Sequence, residues 1–260
     1  MKKNSLTLYS VVALVVLFFF AACDSNNTTR FNLRLTDAPA DVEAIYIDVV
    51  SVEIHASENE NDGSWQTLDI VNAGIYNLLD FNNGMDTLLA TAELPAGEIS
   101  QMRLILGSNN SMVKDGVTYD LGTPSAQTSG LKFNIHAHLE EGVTYNLWID
   151  FDAARSIVEK GNGTYSLKPV IRTFNEATSG AIKGTVAPQN SVSNVMAIID
   201  TDTLGTITDE NGYFLIRGVA AGSYRVEFVP NSGFLTKSVT GVNVVLGEVT
   251  DMGVIDIQAN

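Results

Sequence analysis

The chain has 260 residues, 45% hydrophobic and 17% charged, with 21 Gly and 6 Pro. That is globular composition, and it excludes a disordered, collagen-like or multi-pass membrane protein. The formal net charge of −15 would be repelled by phosphate backbones, so nucleic acid is not an expected partner, and a single Cys allows neither an intramolecular disulfide nor a cysteine zinc cluster.

The N-terminus reads as an address. Lys2 and Lys3 precede an apolar run from Val11 to Phe20, followed by small residues. A basic start, a short apolar stretch and a small-residue boundary describe a secretory signal over residues 1–22. Phe20-Ala21-Ala22-Cys23 resembles a bacterial lipobox, with Phe20 where the pattern prefers Leu. The resemblance implies cleavage before Cys23 and acylation of its thiol, palmitate included. The alternative is an uncleaved anchor helix with an incidental Cys, for which the run is short. Multiple acyl chains suffice for stable anchoring. The expected place is the outer membrane, with the protein facing the periplasm or the cell surface. Residues 23–29 read as a polar tether.

From Arg30 onward the hydrophobic period is two. Phe31, Leu33 and Leu35 alternate with polar residues, and Ala44 to Ile54 is apolar on both faces, as expected of a central strand. Gly74 to Phe81 and Asp152 to Lys160 read as short helices, the second with Asp152 as N-cap. Turn signals stand at Asn83-Gly84, Pro95-Ala96-Gly97, Asp115-Gly116, Asn162-Gly163 and Asn211-Gly212. Asn175 to Gly180 is a small polar stretch between apolar strands. The predicted fold is all-β: two β-sandwich domains, residues 30–176 and 180–260, the first carrying most of the acidity.

Leu131 to Phe151 reads as a hairpin whose loop is Glu140-Glu141-Gly142, with Gly142 left-handed. That register opposes His138 to Thr144, His136 to Asn146, Asn134 to Trp148 and Lys132 to Asp150 on one face. Imidazole, amide, indole and carboxylate together are the mix that stacks on and hydrogen-bonds a sugar ring. The candidate ligand face is therefore His136, His138, Asn146 and Trp148, against the plainer reading of a solvated or helix-covered sheet face. His136 and His138, with His55 as a third ligand, make at most a partial zinc set. Asp200, Asp202, Asp209 and Glu210 offer oxygen for calcium but lack EF-hand spacing, and such residues are ordinary in turns. Asp37, in Thr36-Asp37-Ala38-Pro39, reads as an Asx-type turn former. No nucleophile elbow and no His-Glu-x-x-His occurs, so no enzyme, cofactor or metal is expected.

Two resemblances complete the reading. Ile182 to Val186, Thr208 to Ile216, Gly218 to Val226 and Leu246 to Ile255 look like the carboxypeptidase regulatory-like family. That implies a seven-stranded transthyretin-like sandwich with Leu246 to Ile255 as its last two strands, while the turns at Asp209 to Gly212 and at Gly222 by themselves put Phe214, Ile216, Tyr224 and Val226 inward. Leu33 to Ala40, Leu94 to Gly97, Arg103 to Gly107, Phe151 to Ile157 and Leu167 to Arg172 are similar to the domain-of-unknown-function family 4382. That family implies no activity and no catalytic residue. The function expected is a non-catalytic binding lipoprotein with a glycan as leading ligand, the alternative being a scaffold that contacts other envelope proteins.

Overall fold

A computed structural model of the protein describes residues 28–55 and 65–260. The signal segment, Cys23 and the tether as far as residue 27 lie outside the described residues. The all-β expectation holds: sheets carry the described chain, with three one-turn helical segments between strands.

Period-two patterning produces the first sheet. Strand β1 (Thr28–Ala38) lies at its centre, between β11 (Tyr145–Asp152), parallel, and β6 (Thr87–Pro95), antiparallel. The edges are β14 (Ile171–Phe174) and β4 (Asp69–Ile70). Phe31, Leu33 and Leu35 are fully buried, as their alternation requires. Strand β1 takes in the last two residues of the expected tether, and Thr29 is buried with its hydroxyl donating to Glu140 O.

The facing sheet is built on β2 (Ala44–His55), which pairs with β7 (Gly97–Leu106) along one edge. Along the other it takes β3 (Trp65–Thr67) and β5 (Gly74–Asn77), while β8 (Ser111–Lys114) continues the β7 edge, so that Tyr46 pairs with Asn77 on one side and Ser111 on the other. The central position is as expected, but the reason for the doubly apolar run is different. The β2–β7 register shifts between Val49 and Ser51, so the inward set changes parity from Ile45, Ile47 and Val49 to Val52 and Ile54. Val50, at the shift, is 54% exposed. The sheet continues through β9 (Val117–Gly122), β13 (Tyr165–Leu167) and β12 (Ile157–Glu159), with β10 (Leu131–Leu139) on its far edge beside β7. The two sheets close on one shared apolar core.

Two local expectations are corrected. Gly74 to Phe81 is not a helix but β5 followed by a 3₁₀ turn, Leu78–Phe81. Ile75 is exposed there, while Asn77 Oδ1 accepts Ile45 N–H and pins the segment to β2. Asp152 does cap a helix, accepting Arg155 N–H at 3.0 Å, but α2 (Ala153–Ser156) lasts one turn before β-branched Ile157 and Val158 enter β12. A further short helix, α1 (Pro124–Thr128), begins with Pro at its first turn.

The largest correction concerns the hairpin. Strands β10 and β11 do not pair. Gly142 is left-handed as expected, yet its N–H donates to Thr28 O and the loop carries the chain from one sheet to the other. The predicted cross-strand pairs, His138 with Thr144 and His136 with Asn146 among them, therefore do not exist.

The remaining strands make a second sandwich. One sheet runs β18 (Tyr213–Val219), β15 (Gly180–Ala187), β21 (Val249–Asp256); the other runs β17 (Asp202–Ile207), β16 (Ser193–Ile199), β19 (Gly222–Pro230), β20 (Lys237–Val244). Phe214, Ile216, Tyr224 and Val226 are buried in a core separate from the first. Leu246 to Ile255 forms a turn and one strand rather than two strands.

Candidate functional site at the module junction

The four residues of the expected ligand face end up apart. His136 and His138 are exposed on β10, His136 at φ 45° in a bulge and His138 with Nδ1 2.5 Å from Glu98 Oε1. Asn146 lies on β11 in the other sheet, half-buried, accepting from Asn32 Nδ2 at 3.0 Å. Trp148 shares that strand but is only 4% exposed. It stacks on Phe174 at 5.7 Å and 8°, lies under the Arg217 guanidinium, and donates Nε1–H to Asp86 Oδ2 at 2.9 Å. The indole is a packing element between the modules and offers no platform to a sugar.

The metal candidates disperse as well. His55 is fully buried against Trp65. Asp209 Oδ1 accepts the N–H groups of Asn211 and Tyr213, which makes it a turn former. Among the described residues no group of three or more His, Cys, Asp or Glu is placed to hold a metal ion.

The structure gathers chemistry instead where β1 and β11 end and the second sandwich begins. Asn83-Gly84, read from sequence as a strand-punctuating turn, is a latch. Asn83 Nδ2 donates to Tyr213 O at 3.1 Å, and Leu215 N–H donates to Asn83 Oδ1 at 2.7 Å. The side-chain amide thus stands in for one residue of a strand along the edge of β18. Gly84 makes the approach possible: a Cβ there would come within 2.5 Å of Leu215 Cδ2. Two residues on, Asp86 takes Arg34 from its own module and Arg217 from the other, with Trp148 between them. Arg172 adds a second tie: Nε donates to Asp150 Oδ2 at 2.6 Å, Nη1 to Gly218 O at 2.7 Å and Nη2 to Arg217 O at 3.2 Å. Gly218 lets Phe174 press against its Cα, at φ 66°.

Beneath these ties lies a cavity of about 20 Å³ bordered by Thr36, Asp37, Asp150, Arg172 and Thr206. Asp37 is not an Asx-turn former. Its Oδ1 accepts Ala153 N–H at 3.1 Å, tying β1 to α2, and its Oδ2 has no protein partner. Burial, reinforced by the neighbouring Asp150 carboxylate, pushes the Asp37 pKa up to about 9. Burial also raises Asp150, against the opposing pull of Arg172. Raised carboxyl pKa values can mark acid catalysis; here the unpartnered oxygens, Asp37 Oδ2 and Asp150 Oδ1, are buried at the junction. Beside the cavity opens a cleft of about 900 Å³ between the modules. Pro39, Asp152 and Arg155 line one wall, Asn194, Thr203 and Tyr224 the other. Asp202 to Thr206 of β17, an edge strand, run along it.

Asp86, Arg172 and Arg217 were not singled out from sequence. A signal existed: Arg34 and Asp150 are charges set inside strongly apolar strands, Leu33-Arg34-Leu35 and Ile149-Asp150-Phe151. Such charges need partners.

A family model, "Domain of unknown function (DUF4382)", matches residues 28–169. No curated protein matches the chain. Among solved structures, a type II cohesin–X-dockerin complex from Acetivibrio cellulolyticus shares 24% identity over 31% of this chain and 58% of that one, with a TM-score of 0.26. A putative cell adhesion protein from Bacteroides fragilis shares 14% over 57% of this chain and 46% of that one, TM-score 0.27. GBS52, the minor pilin of Streptococcus agalactiae, shares 11% over 88% and 96%, TM-score 0.23. The chain thus spans little more than half of the cohesin–dockerin chain it matches.

Proposed function

The chain belongs to the DUF4382 family of unknown function through residues 28–169, and from that premise we propose that it is a non-catalytic, lipid-anchored scaffold of the outer membrane that engages an envelope protein in the cleft between its modules. The lipobox-like stretch ending at Cys23 supports the anchor. Cys23 lies five residues before Thr28, a reach of at most about 18 Å. On this reading the Thr28 end of β1 sits near the bilayer. The far end of β1, some 33 Å away at strand rise, carries the junction, the cleft and the second sandwich outward. The transthyretin-like resemblance of that second module agrees with its seven strands in two sheets.

One observation carries the proposal. Strand β17 is a sheet edge that borders a cleft large enough for an extended segment. An unpaired edge offers a row of backbone donors and acceptors, which is how β-augmentation recognises a partner strand. By contrast, the edge of β18 is occupied by the Asn83 amide. The test is a photo-crosslinking amino acid at Thr203 on β17, with Ser238 on the opposite edge strand β20 as control, in intact envelopes. A discrete adduct from position 203, absent at 238 and lost when Gly205→Pro disables the edge, is the expected result. Equal adducts at both positions, or none, would reject the cleft as the binding place.

A glycan ligand keeps one observation in its favour. The cleft mixes Asp152, Arg155, Asn194 and Thr203 with apolar side chains, which suits a hydroxyl-rich ligand. Binding on a polysaccharide panel that Arg155→Ala abolishes would put this reading first.

A further inference from the structure

We propose that the small cavity at the module junction is a binding site for a hard, oxygen-preferring cation, Ca²⁺ being the reference ion, held between Asp37 Oδ2, Asp150 Oδ1 and Thr206 Oγ1. Among the described residues, four buried side-chain polar atoms lack a protein hydrogen-bond partner, and these are three of them. All three belong to residues that border the same cavity. Asp37 and Asp150 are 6% and 5% exposed and Thr206 3%. A buried polar atom without a partner is costly, and a buried charge more so.

The local charge is also unbalanced. Arg172 is the cation nearest the pair, but its guanidinium is spent on Asp150 Oδ2, Gly218 O and Arg217 O. Arg217 is committed to Asp86, and Arg155 to Asp152. The ionised form of Asp37 therefore has no counter-charge among these side chains, and a bound cation would supply one. An all-oxygen set of two carboxylates and a hydroxyl is the ligand chemistry of Ca²⁺, not of zinc, which prefers nitrogen and sulfur. A volume of about 20 Å³ admits one ion or one water and nothing larger. Asp37 and Asp150 come from the first module and Thr206 from the second, so the ion would join the modules. This inference does not depend on what occupies the neighbouring cleft.

The experiment uses the full chain in detergent, stripped with chelator. Ca²⁺ is titrated by calorimetry, thermal melting is followed in parallel, and Tb³⁺ serves as a luminescent substitute. The expectation is one ion per chain and a saturable rise in melting temperature, with affinity in the range of about 10⁻⁴–10⁻³ M typical of extracellular modules. Asp37→Asn keeps the shape and the bond to Ala153 N–H but removes a charge, and Thr206→Val removes the hydroxyl. Each should weaken binding at least about tenfold, because ligand charge and count set affinity. Glu210→Gln, an exposed carboxylate elsewhere, should change nothing. Absence of a saturable response in the unsubstituted chain overturns the proposal. So does an unchanged response in both variants, which would place the ion on the acidic surface. If Asp37→Asn does not fold, Thr206→Val alone decides.

Discussion

Strands β10 and β11 are neighbours in sequence and look alike: each alternates apolar residues with polar ones around a short Gly-containing loop. In the folded protein they differ. On β10 the polar set Lys132, Asn134, His136 and His138 is exposed. On β11 the corresponding set, Trp148 and Asp150, is buried along with the apolar one. The cause is what lies outside each face. The outer face of β10 meets solvent, whereas that of β11, which it shares with its cross-strand neighbours Arg172 and Phe174 on β14, meets the second sandwich through Arg217 and Gly218. Alternation reports that a strand has two unlike faces. It does not report whether the second face is covered by another module.

That contrast predicts very different costs for substitution on the two strands. Trp148→Ala should be the most damaging. It removes a buried indole stacked on Phe174 and orphans Asp86 from one donor, and such truncations cost about 3–5 kcal/mol. The measurement is a urea melt with the two modules followed separately, because a two-module chain need not unfold in one step. A loss confined to the coupling between modules would sharpen the contrast. A change below about 0.5 kcal/mol, the level of an ordinary surface substitution, would break it.

Much of the fold was legible because it depends on local pattern. The buried triplet Phe31, Leu33 and Leu35, the central place of β2, the Asp152 cap and the inward Phe214 and Tyr224 all follow from periodicity and turn chemistry. The bulge in β2 was hidden because one extra residue in a Val- and Ile-rich run leaves no polar mark. The strand partners of β10 and β11 were hidden for a different reason. A Gly-containing loop of that length closes a hairpin or arches between sheets equally well, and the choice is made by distant surfaces. The junction was the least legible part. Asn83-Gly84 has the composition of a hairpin turn, and its docking on β18 is decided by residues some 130 positions away.

The second prediction tests the buried end of β1, where it lies beside β11, through pH. With a chelator present, Asp37 keeps its proton in the folded state up to about 9, while in the unfolded chain an Asp releases it near 3.9. Between those values the folded state binds the extra proton. This contribution to stability is therefore full below about pH 4 and is lost progressively as pH rises toward 9. Asp150, also raised by burial, acts in the same direction. Urea midpoints at pH 5, 7 and 9 should fall for the unsubstituted chain and fall less for Asp37→Asn. Parallel profiles for the two proteins would show that Asp37 is not the group that titrates.

The smallest effect belongs to β10. His138 and Glu98 form an exposed pair, with side chains 66% and 43% accessible, and exposed ion pairs contribute little because water and salt screen them. His138→Ala should shift the urea midpoint by no more than an ordinary surface substitution, at pH 5 as at pH 8, and should leave any crosslink from Thr203 untouched. If it instead abolished partner binding, the outer face of β10 would be a functional surface in its own right. The role assigned to the cleft would then have to pass to the strand that looked like its sequence neighbour and folded into the other sheet.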